Sequence, residues 1–166
     1  MSRWGVFVSR QPHDLLITGY AKHPQVWHLR RGARESRHAA AFWSALGRVP
    51  TQAPLLLLLG EIDCREGMPR AIDRGIYKGV DEAVGAWMGA LRSLLEQLGT
   101  ARPDLKKTML HAIPGPTPLA AAVNQALARY DVGVPVVGLG VVGSGVPTLD
   151  GLHLDPRYLT EIAHEL

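Results

Sequence analysis

Two short stretches of the chain hold residue types at spacings that could do chemistry. The first is Asp150-Gly-Leu-His153, within PTLDGLHLDP. A carboxylate three residues before a histidine can share one turn with it. The carboxylate then accepts a hydrogen bond from one ring nitrogen and fixes the tautomer, which leaves the other nitrogen to act as a general base. Taken alone the spacing is common, and a loop carboxylate capping a following helix gives the same pattern. The second stretch is Gly60-Glu-Ile-Asp-Cys-Arg65, directly after five consecutive leucines. It gathers two carboxylates (Glu61 and Asp63), a thiol (Cys64) and a guanidinium (Arg65). Asp63 and Arg65 are spaced to pair, and Arg65 alternatively offers a two-pronged fork to an anion.

Other signals carry less. Cys64 is the single cysteine, so no internal disulfide can form, and no Cys/His cluster has zinc-ligand spacing; no metal is expected. His13, His23, His28 and His38 are scattered, and His111 falls inside an apolar run, where it reads as a core histidine. Residues 138–143 (GLGVVG) match G-x-G-x-x-G. Ser-Gly-Val-Pro comes next, where a helix would have to open, so the stretch reads as a loop and no nucleotide cofactor is expected.

These residues need elements to hold them. Residues 4–8 (WGVFV), 15–18 and 26–29 read as short strands. Residues 34–46 read as a helix with Ala39, Phe42, Trp43 and Leu46 on one face. The leucines 55–59, entered after Pro54 and closed by Gly60, read as a parallel strand covered on both faces. Residues 64–80 are broken by Gly67, Pro69, Gly75 and Gly79 and read as a loop with an interrupted helix. Residues 81–98 carry Val84, Trp87, Met88, Leu91, Leu94, Leu95 and Leu98 at helical spacing, with Asp81 as N-cap and Gly99 as stop. Strands at 107–113 and 134–142 alternate with helices at 118–130 and 156–166. Such alternation predicts a parallel sheet with helices on both faces and a site at the C-terminal ends of the strands.

At 166 residues the chain fits one domain. The N-terminal apolar stretch is about five residues, too short for a signal-peptide core, and no run is long enough to span a bilayer. A cytoplasmic protein with no membrane contact is expected. The net charge of +3 is uneven: residues 1–50 hold Lys22 and seven arginines against Asp14 and Glu35, a net +6, and the remainder carries −3. A basic third of this kind suggests an anionic partner, or a solvated basic face.

Together the two stretches resemble the SGNH/GDSL hydrolase superfamily, in the branch with G-E-I-D-C-R in its third block. The likeness runs over most of the chain. Asp150 and His153 match the D-x-x-H close to the C-terminus. Gly60 and Asp63 match the first and last positions of G-x-N-D, and Gly32, after VWHL, matches the second-block glycine. The resemblance implies one domain over residues 1–166: a three-layer α/β/α fold with a mainly parallel, five-stranded, flavodoxin-like sheet. It also implies hydrolysis of an ester, such as a carbohydrate acetyl ester, by Ser-His-Asp chemistry without a cofactor. Two departures stand out. Ile62 replaces the asparagine that would help bind the oxyanion, which leaves the Gly32 backbone N–H or Arg65 as donors. The G-D-S nucleophile block is absent, and the nearest serine is Ser9, directly after residues 4–8. On this reading Ser9 attacks, His153 takes its proton and Asp150 orients the ring, while Gly32, Gly60, Glu61, Asp63 and Arg65 line the substrate and oxyanion site. The alternative is a catalytically inactive domain of the same fold that uses residues 1–50 to bind an anionic partner.

Overall fold

A computed structural model describes residues 16–18, 25–29, 37–140, 155 and 157–158. It is a mixed α/β structure built on a small parallel sheet. The strands are β1 (Leu16–Thr18), β2 (Pro54–Leu57), β3 (Lys107–His111) and β4 (Val136–Val137), in spatial order β1-β2-β3-β4. Register pairs Ile17 with Leu56, Leu56 with Met109, and Leu110 with Val136. Parallel neighbours cannot be joined by a tight turn, so each connection crosses over through helices. These are α1 (Val26–Leu29) and α2 (Arg37–Gly47), then α3 (Met68–Asp73) and α4 (Val80–Ala101), then α5 (Pro118–Arg129).

Crossovers of this kind are right-handed, and in a sequential strand order that puts their helices on one face. The packing agrees, since α4 lies against α1, α3 and α5. Its inward stripe of Val84, Trp87, Leu91, Leu94 and Leu98 meets Leu55, Leu57 and Leu110 in one apolar cluster. Leu56 and Met109, side by side on the opposite face, stand apart from that cluster and are equally buried. Both faces of the central strand pair are therefore buried, as an unbroken leucine run predicts.

Several expectations need correction. Residues 26–29 form a helical turn, not a strand: Val26 and Leu29 are both buried, a spacing of three that a helix puts on one face and a strand does not. Gly32 thus comes after a helix. The leucine strand stops at Leu57. Helix α4 starts from Gly79 instead of Asp81. Asp81 and Glu82 instead fill its first turn, where negative charge suits the helix dipole, and Glu82 accepts a 2.6 Å hydrogen bond from the Lys78 N–H. The helix runs through Gly99 to Ala101, because glycine weakens a helix without ending it. Helix α5 begins as expected, with Pro118 in its first turn and Thr117 accepting from the Ala120 N–H at 3.1 Å. The strand at 4–8, the end of the one at 134–142, and most of the helix at 156–166 lie outside the described residues.

Candidate functional site

All four strands point the same way, so the chain leaving Leu57, His111 and Val137 gathers at one edge. This is the edge where open α/β sheets bind ligands. After β2 the backbone turns sharply at Gly60, whose φ is +97°. A Cβ there would lie 2.5 Å from Ile113 Cδ1 and 2.7 Å from Trp87 Cζ2. Both the left-handed conformation and the space require glycine. The chain then winds through a π-helical turn, Asp63–Gly67, in which the Met68 N–H donates to the Asp63 carbonyl. Wide turns of this kind recur at functional sites.

The turn sends its side chains two ways. Asp63 points inward and is fully buried. Its Oδ2 accepts a 3.2 Å hydrogen bond from the Val26 N–H at the start of α1. Its Oδ1 is buried without a partner, as is the Trp87 indole nitrogen. The indole is close enough to favour the carboxylate but does not close a hydrogen bond with it. Burial dominates and pushes the Asp63 carboxyl up to about 7, against the smaller opposing pull of Val26 and Trp87; Glu61 adds a small upward push. Cys64 is buried as well. Burial, with the neighbouring Asp63 and Glu61, pushes its thiol up to about 12, so it carries no thiolate at neutral pH and is a poor nucleophile.

Glu61 and Arg65 face outward. They form an ion pair at 3.3 Å, one helical turn apart, and Arg65 also lies 3.6 Å from Glu66. Arg70 lies 3.0 Å from the other Glu66 oxygen. The expected Asp63–Arg65 pair is thus replaced by alternating charges along the turn's outer side. The helical path puts residues 61 and 65 on one face and turns Asp63 away from them.

The neighbouring exit, after β3, is held by residues the motifs did not single out. The Asn124 amide brackets Ile113: it accepts from the Ile113 N–H at 2.8 Å and donates to the Ile113 carbonyl at 2.9 Å. Ile113 in turn fills the space beside Gly60. The sequence signal was present, since Asn124 lies on the apolar face of α5 between Val123 and Leu127. His111, the last residue of β3, is buried as expected of a core histidine. It contacts the Ala112 carbonyl through Nδ1 and the Tyr158 hydroxyl through Nε2 at 3.3 Å. Burial holds its pKa below the ordinary value, against the upward pull of the Ala112 carbonyl.

Gly60, Glu61, Asp63 and Arg65 therefore meet at the end of β2, with Asp63 fully buried and the Glu61–Arg65 pair half-buried on the turn's outer side. Ser9, Gly32, Asp150 and His153 lie outside the described residues. Residues 138–140 lead out of β4 without opening a helix; the rest of the glycine motif is outside that range. Among the described residues no group of histidine, cysteine and acidic side chains is arranged to hold a metal, and no helix is long and apolar enough to cross a membrane. No protein family, curated protein or solved structure matches the chain.

Proposed function

We propose that the chain is a domain of the SGNH type that binds without hydrolysing, and that its basic residues 1–50 dock an anionic partner. The observation that carries this reading is the make-up of the segment just after β1. In a flavodoxin-like sheet of order 2-1-3-4-5, the run β1-β2-β3-β4 corresponds to the last four positions. That reading calls for a fifth strand beyond β1 and for helices over both faces, in three layers. In the SGNH pattern the serine comes directly after the first strand. Here the strand beside the GEIDCR turn is Leu16–Thr18, and the six residues after it read GYAKHP, with no serine, threonine or cysteine. Ser9 precedes this strand by seven positions. The buried, un-ionised Cys64 does not replace the missing nucleophile. A cytoplasmic setting fits the single free thiol.

The test incubates the full chain with 4-nitrophenyl acetate and with a fluorophosphonate probe. The expected result is release of nitrophenol no faster than in buffer, and no label. Turnover abolished by both Ser9→Ala and His153→Ala, with the label on Ser9, would instead establish the Ser9-Asp150-His153 hydrolase. Docking is tested by retention on a sulfated polysaccharide column. Retention should fall with salt and with Arg30→Ala, Arg31→Ala and Arg34→Ala combined; retention that ignores both overturns it.

A further inference from the structure

Helix α4 buries one side against the sheet and shows the other. Glu82, Gly85, Gly89 and Arg92 are all exposed. Their spacing of three, four and three sets them on one outward line, away from the stripe of Val84, Trp87, Leu91, Leu94 and Leu98. Exposed Glu96 continues the line, and exposed Lys78 stands one turn before Glu82, to which its backbone N–H is tied at 2.6 Å. We infer that this face is the docking surface for a second copy of the chain, laid antiparallel across it in a two-fold dimer. The inference does not depend on the SGNH reading or on an anionic partner.

The order of charges selects that occupant. The line reads Lys78, Glu82, two glycines, Arg92, Glu96, and read backwards it is the same with every sign reversed. A two-fold axis midway between Gly85 and Gly89 therefore sets each charge against its opposite. Lys78 meets Glu96 of the second copy, Glu82 meets its Arg92, and Gly85 meets its Gly89. A two-fold contact is self-complementary, so every such pair occurs twice. A parallel arrangement would set Glu82 against Glu82 and Arg92 against Arg92, and like charges brought together are costly.

The groups are free to make these contacts. Among the described residues none of the four charged side chains is in an ion pair. Arg92 Nη2 donates to the Asp131 carbonyl at 3.1 Å, which steadies the guanidinium and leaves its other donors for a partner. Glu82 keeps one carboxylate oxygen beyond the one that accepts from Lys78. The glycines fit the same picture. Each weakens the middle of an exposed helix, and a Cβ on either would meet nothing within 4 Å, so packing within the chain does not require them. Between two helices, small residues let the backbones approach closely. Ile76 and Val80, 63% and 40% exposed, stand at the start of the same helix. The antiparallel arrangement brings the C-terminal half of the second copy's α4 to that end, where it can cover them. Exposed apolar side chains grouped in this way mark a contact surface better than scattered ones do.

The experiment is sedimentation equilibrium of the full chain over a dilution series, with circular dichroism to confirm that each variant is folded. The wild type should show a concentration-dependent dimer that weakens with salt. Glu82→Arg and Arg92→Glu each put like charges in both symmetric pairs and should weaken the dimer at least roughly tenfold. Mixing those two variants restores opposite charges in every Glu82–Arg92 pair and should return the dimer, which only the antiparallel arrangement explains. Gly89→Leu keeps all the charges, finds open space in the single chain, and should weaken the dimer by a similar factor because the helices can no longer close. A wild type that stays monomeric up to about 1 mM overturns the proposal. So does a dimer that survives Gly89→Leu unchanged, or a mixture of the two folded charge variants that stays monomeric.

Discussion

Strands β2 and β3 lie side by side, run in the same direction and end on buried polar groups, but they satisfy those groups differently. At the end of β3, Asn124 makes two good hydrogen bonds to the Ile113 backbone, and both nitrogens of His111 have partners. At the end of β2, Asp63 has one bond from Val26 and an orphaned Oδ1, beside an orphaned Trp87 indole nitrogen. Buried polar groups are nearly always paired, because an unpaired one forfeits its hydration without compensation. The β3 exit therefore reads as scaffold. The β2 exit instead holds a buried, incompletely paired carboxyl that burial pushes up to about 7, so its charge is the feature that separates the two ends.

The two ends share a contact, and breaking it should have the largest effect. Gly60→Ala places a methyl group against Ile113 and Trp87 in a left-handed turn. We expect a loss of roughly 2–4 kcal/mol in urea unfolding, from overpacking and backbone strain together. A loss under about 1 kcal/mol would mean that the β2 and β3 exits are not locked to each other. Asn124→Ala tests the scaffold side alone. It strands the buried N–H and carbonyl of Ile113 and should cost about 2–3 kcal/mol.

Titration sharpens the contrast, because the two ends respond to pH with opposite sign. The folded protein raises the Asp63 carboxyl from 3.8 to about 7. Between those values the native state holds a proton that the unfolded state has released, so Asp63 makes stability fall as pH rises from about 4 to 7. His111 is depressed from 6.5. Below that value the unfolded state takes a proton that the native state refuses, so His111 makes stability fall as pH drops. In the wild type the two slopes partly cancel. Asp63→Asn can still accept from the Val26 N–H but has no charge to bury. It should gain on the wild type above pH 7, on the order of a few kcal/mol, match it near pH 4, and unmask the His111 slope. Parallel stability curves for the two proteins between pH 4 and 8 would show that Asp63 is not held near neutrality.

How much of this was legible in the sequence differs between the two ends. The leucine run, the alternation of helix and strand, and the Trp/Met/Leu stripe of α4 pointed to a parallel sheet, because apolar periodicity reports burial directly. The glycine at the end of β2 was visible as the residue that closes the leucine run. The helical turn at 26–29 was missed because four residues are too few to separate a period of two from one of 3.6, and β-branched Val26 with Trp27 favours a strand. The direction of Asp63 was not legible either. An acidic residue beside an arginine looks like a surface pair until the turn's path is known, and its partner, the Val26 amide, is 37 positions away. Tyr158 and His111 are separated by 47 positions, and no local pattern announces such a contact.

The smallest expected effect belongs to the outward side of the same turn. Arg65 is about one-third exposed and Glu61 about one-quarter; the facing Nε and Oε1 atoms are covered but too far apart for a good hydrogen bond, and the Arg65 charge has Glu66 as a second neighbour. Arg65→Ala should change stability by less than about 1 kcal/mol, with no change in the pH slope set by Asp63. The turn would then divide cleanly: its inner carboxyl controls stability, and its outer guanidinium, already neutralised by two carboxylates, has little left to offer an anion. Retention of the Arg65→Ala variant on the sulfated polysaccharide column should match the wild type for the same reason. A clear loss of retention would mean that the ligand displaces Glu61 from Arg65, and would move the docking surface from residues 1–50 to the end of β2.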